Sequence, residues 1–261
     1  MKGLTVLMYH ALVNDSAALD DIDPEERSYA LTAREFTAQL ELLRQAAIPV
    51  LDPATLRPGS RPAPGVLITF DDGHASNAEL ALPLLERQSM KAAFFITTDF
   101  VARRRGYCTW EQVRSLAERG MLVGAHGHTH RFLSTLDDVE LRAELQGARD
   151  LLRDHAGVDA TQLSFPGGRF DRRAERLARD AGYRTLFGSR FGTIAAHRDL
   201  PLDVLPRIAV RPGLSERQFL AYARASSSAM IMPRLSAWAK DSLRSVIGDE
   251  RYHQIYRYFR G

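Results

Sequence analysis

The stretch Gly65-Val66-Leu67-Ile68-Thr69-Phe70-Asp71-Asp72-Gly73 is the most informative segment of this chain for both fold and chemistry. Its apolar β-formers predict a buried strand that ends in a turn carrying two adjacent carboxylates. Because neighbouring carboxylates repel each other, a bound cation, a shared proton or a catalytic use would explain the pair. A helix N-cap or a solvated turn is the simpler interpretation of an Asp-Gly sequence, and this motif alone leaves both open.

Short apolar runs alternate with helical patterns on both sides of this strand. Strands are predicted at residues 4–9, 66–70, 92–97, 121–125, 162–165 and 184–187, and helices at 32–47, 78–88, 109–119, 137–155 and 171–181. The repeated β-then-α order predicts an α/β fold with a parallel sheet, either a barrel or a doubly wound sheet. In both architectures, ligand sites lie at the C-terminal ends of the strands.

Composition and charge limit the classes of function. The chain has 261 residues, 45% of them hydrophobic, which allows one large domain or two small ones. A net charge of +3, no clustered basic stripe and no nucleic-acid motif argue against binding to DNA or RNA. Cys108 is the single cysteine, which excludes an internal disulfide and a cysteine-based zinc site.

The two ends of the sequence carry further expectations. The first ten residues lack the pattern of a signal peptide, so we expect a cytoplasmic protein. Residues 1–224 are predicted to form a catalytic domain and residues 225–261 a helical extension. Tyr252, Ile255, Tyr256 and Phe259 form an apolar stripe in this extension. The stripe either packs on the domain or contacts a membrane or a partner, and the membrane interpretation places the protein peripherally at the inner membrane face.

A histidine cluster, His126-Gly127-His128-Thr129-His130, follows another predicted strand. If this segment were one helical turn, His126 and His130 would share a face. If it were extended, all three histidines would share a face and form a three-histidine site. Two imidazoles plus a carboxylate make a typical catalytic zinc set, so the cluster and the Asp-Asp turn together suggest a hydrolytic metal site.

Residues 69–73, followed by Gly124-Ala125-His126-Gly127-His128-Thr129-His130, resemble the polysaccharide deacetylase family, which shares the NodB homology domain of carbohydrate esterase family 4. The likeness extends over about residues 4–215 and includes Asn77 and Thr109-Trp110-Glu111. It implies an irregular (β/α)7-type barrel and removal of N-acetyl groups from sugar polymers. It also implies a divalent metal, most commonly Zn²⁺, with Co²⁺, Ni²⁺ or Mn²⁺ as other options.

The resemblance assigns roles to individual residues. Asp71 matches the general base, and Asp72, His126 and His130 match the metal ligands. The family's acid histidine normally comes from a Leu-x-His motif near the C-terminus, and His197 and His253 lack a strand before them. Some members are circularly permuted with this strand first, so His10, which ends the first predicted strand, is assigned as the acid.

The third family motif departs from its usual form. Where the family often has Arg-x-Pro-Tyr, this chain has Ser164-Phe165-Pro166-Gly167. The backbone N–H of Gly167 could keep the oxyanion contact that the tyrosine amide makes in the family. Arg207, in Leu205-Pro206-Arg207-Ile208, is the first candidate for orienting Asp71, and Arg169 is the second.

The expected activity is a metal-dependent N-deacetylation of a sugar in a polysaccharide, an oligosaccharide or a glycolipid intermediate. A non-sugar amide, such as a formamide or ureide, is the alternative substrate class. A catalytically silent sugar-binding protein is a third interpretation, which the complete set of Asp71, Asp72, His126 and His130 disfavours. The sequence predicts no oligomeric state.

Overall fold

The computed structural model describes residues 3–226, apart from positions 16–21, 23–25, 57, 60, 196–198 and 200–203. Its strands are β1 (Gly3–Tyr9), β2 (Leu12–Val13), β3 (Leu31–Thr32), β4 (Gly65–Phe70), β5 (Ala92–Ile96), β6 (Leu122–Ala125), β7 (Gln162–Ser164), β8 (Thr185–Phe187), β9 (Ile194–Ala195) and β10 (Ile208–Ala209). Its α-helices are α1 (Ala33–Gln45), α2 (Leu82–Arg87), α3 (Trp110–Glu118), α4 (Asp138–Ala156), α5 (Arg172–Asp180) and α6 (Glu216–Ala223).

A single large sheet organises the molecule. Its main path runs β10-β1-β4-β5-β6-β7-β8, with all neighbours on this path parallel, and β9 adds an antiparallel pairing to β1. Phe187, the last residue of β8, forms a parallel β-bridge with Leu205, three residues before β10 begins. The sheet therefore curls back toward its first edge. The α/β class and the irregular barrel are thereby confirmed.

Most predicted elements agree with the structure to within one or two residues. Helix α1 begins after Thr32, whose side chain forms the predicted capping box with Glu35. The helix predicted at 78–88 is present, but its first part, Asn77–Ala81, is a π-helical turn that precedes α2. The short strands β2, β3, β9 and β10 and helix α6 were not predicted.

Two expectations concern the ends of the chain. The helical extension falls almost wholly on residues 227–261, which lie outside the described part of the structure. In the described residues, no helix has both the length and the apolar character that crossing a bilayer requires.

Burial of the sheet directs the polar residues to one edge. All six residues of β4 and all five of β5 are buried, as expected for parallel strands covered on both faces. The chain can therefore present polar side chains only where these strands end. His10, Asp71 and His126 follow directly after β1, β4 and β6, so they meet at the C-terminal edge of the sheet.

Candidate active site

The Asp-Asp turn begins directly after β4. The strand ends at Phe70, and the Asp71 N–H still donates to the carbonyl of Tyr9 at 2.9 Å. Asp72 has a left-handed backbone with φ of 73°, so the strand geometry that would send two successive side chains to opposite faces does not continue through the turn. The turn separates them instead: each carboxylate has its own set of partners.

Asp72 lies between two histidines. Its Oδ1 is 3.3 Å from Nε2 of His126 and 3.2 Å from Nε2 of His130. The ligand atoms of all three residues lie within 4.8 Å of one another. Ligands around a tetrahedral zinc ion with bonds of ~2.0–2.1 Å are separated by ~3.3 Å. These three residues therefore have the donor types and the spacing that a divalent metal needs.

The orientation of His126 leaves the correct nitrogen available. Its Nδ1 lies 2.8 Å from the carbonyl oxygen of Ser164, which can only accept a hydrogen bond. Nδ1 must therefore carry the proton, and the lone pair of Nε2 faces Asp72. Metal-binding histidines are characteristically fixed in this way through their second ring nitrogen.

The histidine segment is neither the helical turn nor the extended strand considered from the sequence. Gly127 and His130 have φ values of 74° and 65°, and these two left-handed residues turn the chain so that His126 and His130 converge. His128 instead pairs through Nδ1 with the Thr98 hydroxyl at 2.9 Å. A three-histidine site is therefore not formed.

A buried carboxylate fixes the backbone of the histidine segment. Glu144, on α4, accepts hydrogen bonds from the backbone N–H groups of His128 at 2.8 Å and Thr129 at 2.9 Å, and from the Thr129 hydroxyl. Sequence analysis missed Glu144, although a signal was available: it lies on the buried face of α4 with Leu141, Leu145 and Ala148.

Asp71 is paired with Arg207, a fully buried arginine. The guanidinium donates from Nη1 to Oδ1 at 2.8 Å and from Nη2 to Oδ2 at 2.7 Å. Its other N–H groups donate to the Gly188 carbonyl, the Thr69 hydroxyl and the Ser164 hydroxyl. All five guanidinium N–H groups thus have acceptors, which a buried arginine requires.

Ser164 explains how Arg207 reaches this position. The small serine stands where the family often has arginine, and it leaves space that the Arg207 guanidinium occupies. Its hydroxyl accepts from Arg207 and donates to Asp71 Oδ2 at 3.1 Å. The guanidinium of Arg169, by contrast, lies over the Phe132 ring at 4.3 Å. The first of the two candidates, Arg207, thus makes a two-bond contact with Asp71, and its orienting role stays a prediction.

Burial and charge act in opposite directions on the two aspartates. Burial raises the pKa of Asp71, but the Arg207 guanidinium and His126 outweigh it, and the pKa is below its ordinary value. Burial also raises the pKa of Asp72, yet the imidazoles of His126 and His130 hold it well below its ordinary value. Both carboxylates are therefore ionised at neutral pH.

His10 reaches the same edge from β1. Its ring packs against the Tyr29 ring with centroids 4.7 Å apart and planes tilted by 36°, and its backbone carbonyl accepts from the Asn77 side chain. Burial lowers the pKa of His10, partly offset by Asp72 and Asp71. Among the described residues, its Nδ1 is buried without a hydrogen-bond partner. The ring is not satisfied by a backbone carbonyl there, so a substrate group could use it.

Gly167 occupies a tight turn after β7. Its φ is 61°, and a Cβ at this position would lie 2.7 Å from Cε1 of Phe132. No hydrogen bond found among the described residues uses its N–H. A glycine therefore suits both the backbone and the space, and its amide is available as a donor.

Comparison with known proteins agrees with this fold. The polysaccharide deacetylase family model matches residues 59–186, which hold both the Asp-Asp turn and the histidine segment. YxkH of Bacillus subtilis, whose name places it among polysaccharide deacetylases, is 28% identical over 84% of this chain and 75% of its own length.

Two solved structures have the same fold over nearly their whole length. IcaB from Ammonifex degensii aligns with a TM-score of 0.69 and 26% identity, covering 86% of this chain and 98% of that one. The Streptococcus pyogenes deacetylase PplD, in complex with acetate, aligns with a TM-score of 0.71 and 22% identity, covering 85% and 98%. The matched family and these relatives place the chain in the carbohydrate deacetylase class of hydrolases. The chain belongs to the polysaccharide deacetylase family.

Proposed function

We propose that this protein is a metal-dependent hydrolase that removes the N-acetyl group from an N-acetylated sugar. Asp72, His126 and His130 would hold the metal as a catalytic and not a structural ion, because their three side chains leave coordination positions open. The donor set of two imidazoles and one carboxylate favours Zn²⁺, with Co²⁺, Ni²⁺ and Mn²⁺ as further candidates.

Different residues of the chain accept and donate the protons that the reaction transfers. A divalent cation at this site supplies Lewis acidity, which lowers the pKa of a water molecule and polarises the amide carbonyl. Asp71 accepts a proton from that water as it attacks the carbonyl carbon. The Gly167 N–H donates to the oxygen on which negative charge develops. His10 in its protonated form, which its lowered pKa makes a stronger acid, gives a proton to the departing amine, so the products are a free amine and acetate.

The pairing of Asp71 with Arg207 is the observation that supports this proposal most strongly. A carboxylate locked by two guanidinium bonds cannot rotate toward the metal as a further ligand without breaking them. It stays 4.0 Å from His126 Nε2, beside the metal set but outside it. This arrangement suits a base adjacent to a metal rather than a ligand.

For the substrate, we propose an N-acetylhexosamine in a glycan or in a glycolipid intermediate of surface polysaccharide synthesis. A cytoplasmic location, at the inner face of the membrane, would suit such an intermediate. Recovery of the active protein from the periplasm or the medium would overturn the proposed location without affecting the proposed chemistry.

The decisive experiment compares metal content and acetate release for the wild type and Asp71→Asn. We expect the variant to bind the metal as the wild type does, and to lose activity by about 10²–10⁴-fold, the usual contribution of a general base. Loss of metal in Asp71→Asn would make Asp71 a ligand, and unchanged turnover would remove it from the mechanism.

The substrate class needs a separate comparison. Acetate release from N-acetylhexosamine oligomers and glycolipids is measured beside formate release from formamides and turnover of ureides. Activity confined to the non-sugar amides would contradict a carbohydrate substrate while keeping the metal chemistry. Binding of sugars without turnover of any amide, in metal-loaded protein, would contradict catalysis itself.

A further inference from the structure

A second group of metal-ligand side chains lies beside the first. Glu26 directly precedes a 3₁₀ turn (Arg27–Tyr29), and His74 follows the Asp-Asp turn. Together with Asp72, they place one ligand atom each within 4.8 Å of one another. The proposed deacetylation uses neither Glu26 nor His74.

The contact between Glu26 and His74 is short but is not a hydrogen bond. Glu26 Oε2 lies 2.9 Å from Nε2 of His74, whose side chain is only 5% exposed. Both atoms are buried, and neither has a hydrogen-bond partner of acceptable geometry among the described residues. Leaving two such atoms unsatisfied is costly, so their arrangement needs another explanation.

A shared cation explains this geometry. Two ligand atoms that bind one ion at right angles, as in five-coordinate or octahedral geometry, with bonds of ~2.0–2.1 Å, are separated by ~2.9 Å, less than the separation around a tetrahedral ion. Each lone pair then points at the ion and not at the other ligand, which brings the two atoms close without hydrogen-bond alignment. An ordinary ion pair would instead favour alignment of the Nε2–H with the carboxylate oxygen.

Tyr107 fixes the positions of both Glu26 and His74. The Tyr107 hydroxyl donates to the other oxygen, Oε1, of Glu26 at 2.7 Å. The Tyr107 ring stacks on the His74 ring with centroids 4.5 Å apart and planes 23° apart. The backbones of His74 and Tyr107 also form an antiparallel bridge. Such support around ligands is typical of metal centres.

We propose that Glu26, His74 and Asp72 bind a second divalent cation, with Asp72 shared between this site and the one formed with His126 and His130. One imidazole and two carboxylates suit Zn²⁺, Co²⁺ or Mn²⁺ rather than Ca²⁺ or Mg²⁺. The two oxygens of a carboxylate can each bind one ion, so Asp72 would bridge the pair. The second ion also ties the segment carrying Glu26 to the rim of the sheet.

Counting bound metal tests this proposal without any assay of activity. The purified full chain is stripped with a chelator, dialysed to equilibrium against low micromolar Zn²⁺, and analysed for zinc and protein. We expect two ions per chain in the wild type, one in Glu26→Gln, one in His74→Gln, and one in His126→Gln. The double variant Glu26→Gln/His126→Gln should bind none.

The matched control is His128→Gln, which removes a histidine of the same region that belongs to neither group, and it should keep two ions. Circular dichroism and thermal melting of the metal-free proteins check that each variant is folded. One ion per chain in the wild type, with the same count in Glu26→Gln, would overturn the proposal and leave an ion pair. Because only metal is counted, a failure of the proposed deacetylation would not change this result.

Discussion

Arg207 imposes a compromise on Asp71. The guanidinium keeps the carboxylate ionised and fixed, but it also lowers the pKa of the group that must accept a proton. A base with a low pKa has little driving force of its own. The proposed chemistry therefore depends on a cation to make the water acidic enough, and the base contributes mainly by its position.

Replacing Arg207 with methionine should destabilise the protein by ~3–5 kcal/mol, because it leaves a buried carboxylate without its partner. Denaturant unfolding measures the change. In the double variant Asp71→Asn/Arg207→Met, which removes both charges, part of the loss should be recovered. If the double variant were as unstable as the sum of the two single variants, the loss would come from packing and not from the charge.

The pairing of Asp71 with Arg207 also predicts how the stability lost in Arg207→Met varies with pH. The folded pKa of Asp71 is below its ordinary value, so the pair contributes fully above the unfolded pKa of ~3.9. Its contribution is lost as the pH falls through the folded pKa. The stability gap between the wild type and Arg207→Met should therefore be largest near neutral pH and narrow in acid.

At the scale of elements, Glu144 connects helix α4 to the metal site. Its three hydrogen bonds hold His128 and Thr129, the two residues directly before His130, whose left-handed conformation a residue with a side chain adopts only at a cost. We expect Glu144→Gln to weaken metal binding by ~10–100-fold, since it removes support around a ligand. Competition with a chromophoric chelator measures the affinity.

Arg142→Gln is the matched control for this prediction, because Arg142 is an exposed residue of the same helix. It should bind metal as the wild type does. A similar loss of affinity in both variants would point to the stability of α4 and not to the contact with the histidine segment.

Two glycines in different surroundings should respond oppositely to alanine. Gly167→Ala places a Cβ at a φ of 61° and against Phe132, so we expect a loss of ~1–2 kcal/mol. Gly147, within α4, has no atom within 4 Å of a new Cβ, so Gly147→Ala should gain ~0.5–1 kcal/mol. Unfolding in urea compares both variants with the wild type, and a stabilising Gly167→Ala would contradict the strained turn.

Periodicity in the sequence was sufficient to predict most helices and central strands, because burial on a helix face or in a parallel sheet leaves a regular pattern. The conformation of residues 126–130 could not be predicted in this way, since the left-handed Gly127 and His130 follow no period. The sequence could only nominate Arg207: its contact with Asp71 spans 136 positions and depends on the serine at 164. The roles assigned to His10, Arg207 and Gly167 stay predictions until variants are assayed.

For the whole molecule, metal binding should raise thermal stability. A ligand that binds only the folded state at 100 times its Kd adds ~2.7 kcal/mol, which corresponds to roughly 5–10 °C in Tm for a domain of this size. Chelation should lower Tm by that amount, and added Zn²⁺ should restore it. Scanning calorimetry measures the shift.

Asp72→Asn provides the control, because asparagine tolerates the left-handed backbone at this position but is a poor metal ligand. Its Tm should not respond to chelator or to Zn²⁺. A shift equal to that of the wild type would show that the stabilising ion binds elsewhere.

The central place of β1 has a consequence for biosynthesis. This strand pairs with β4 along its length and with β10, whose paired residues follow 201 positions later, and the Thr5 hydroxyl donates to the Tyr222 carbonyl across 217 positions. On a ribosome, β1 and β4 could pair early, but β10, Arg207 and α6 would emerge only after nearly all of the described chain. Until then, the negative charge of Asp71 would lack the arginine that neutralises it. Contacts of such long sequence separation slow folding, so we expect closure of the sheet and completion of the site to be a late, joint event.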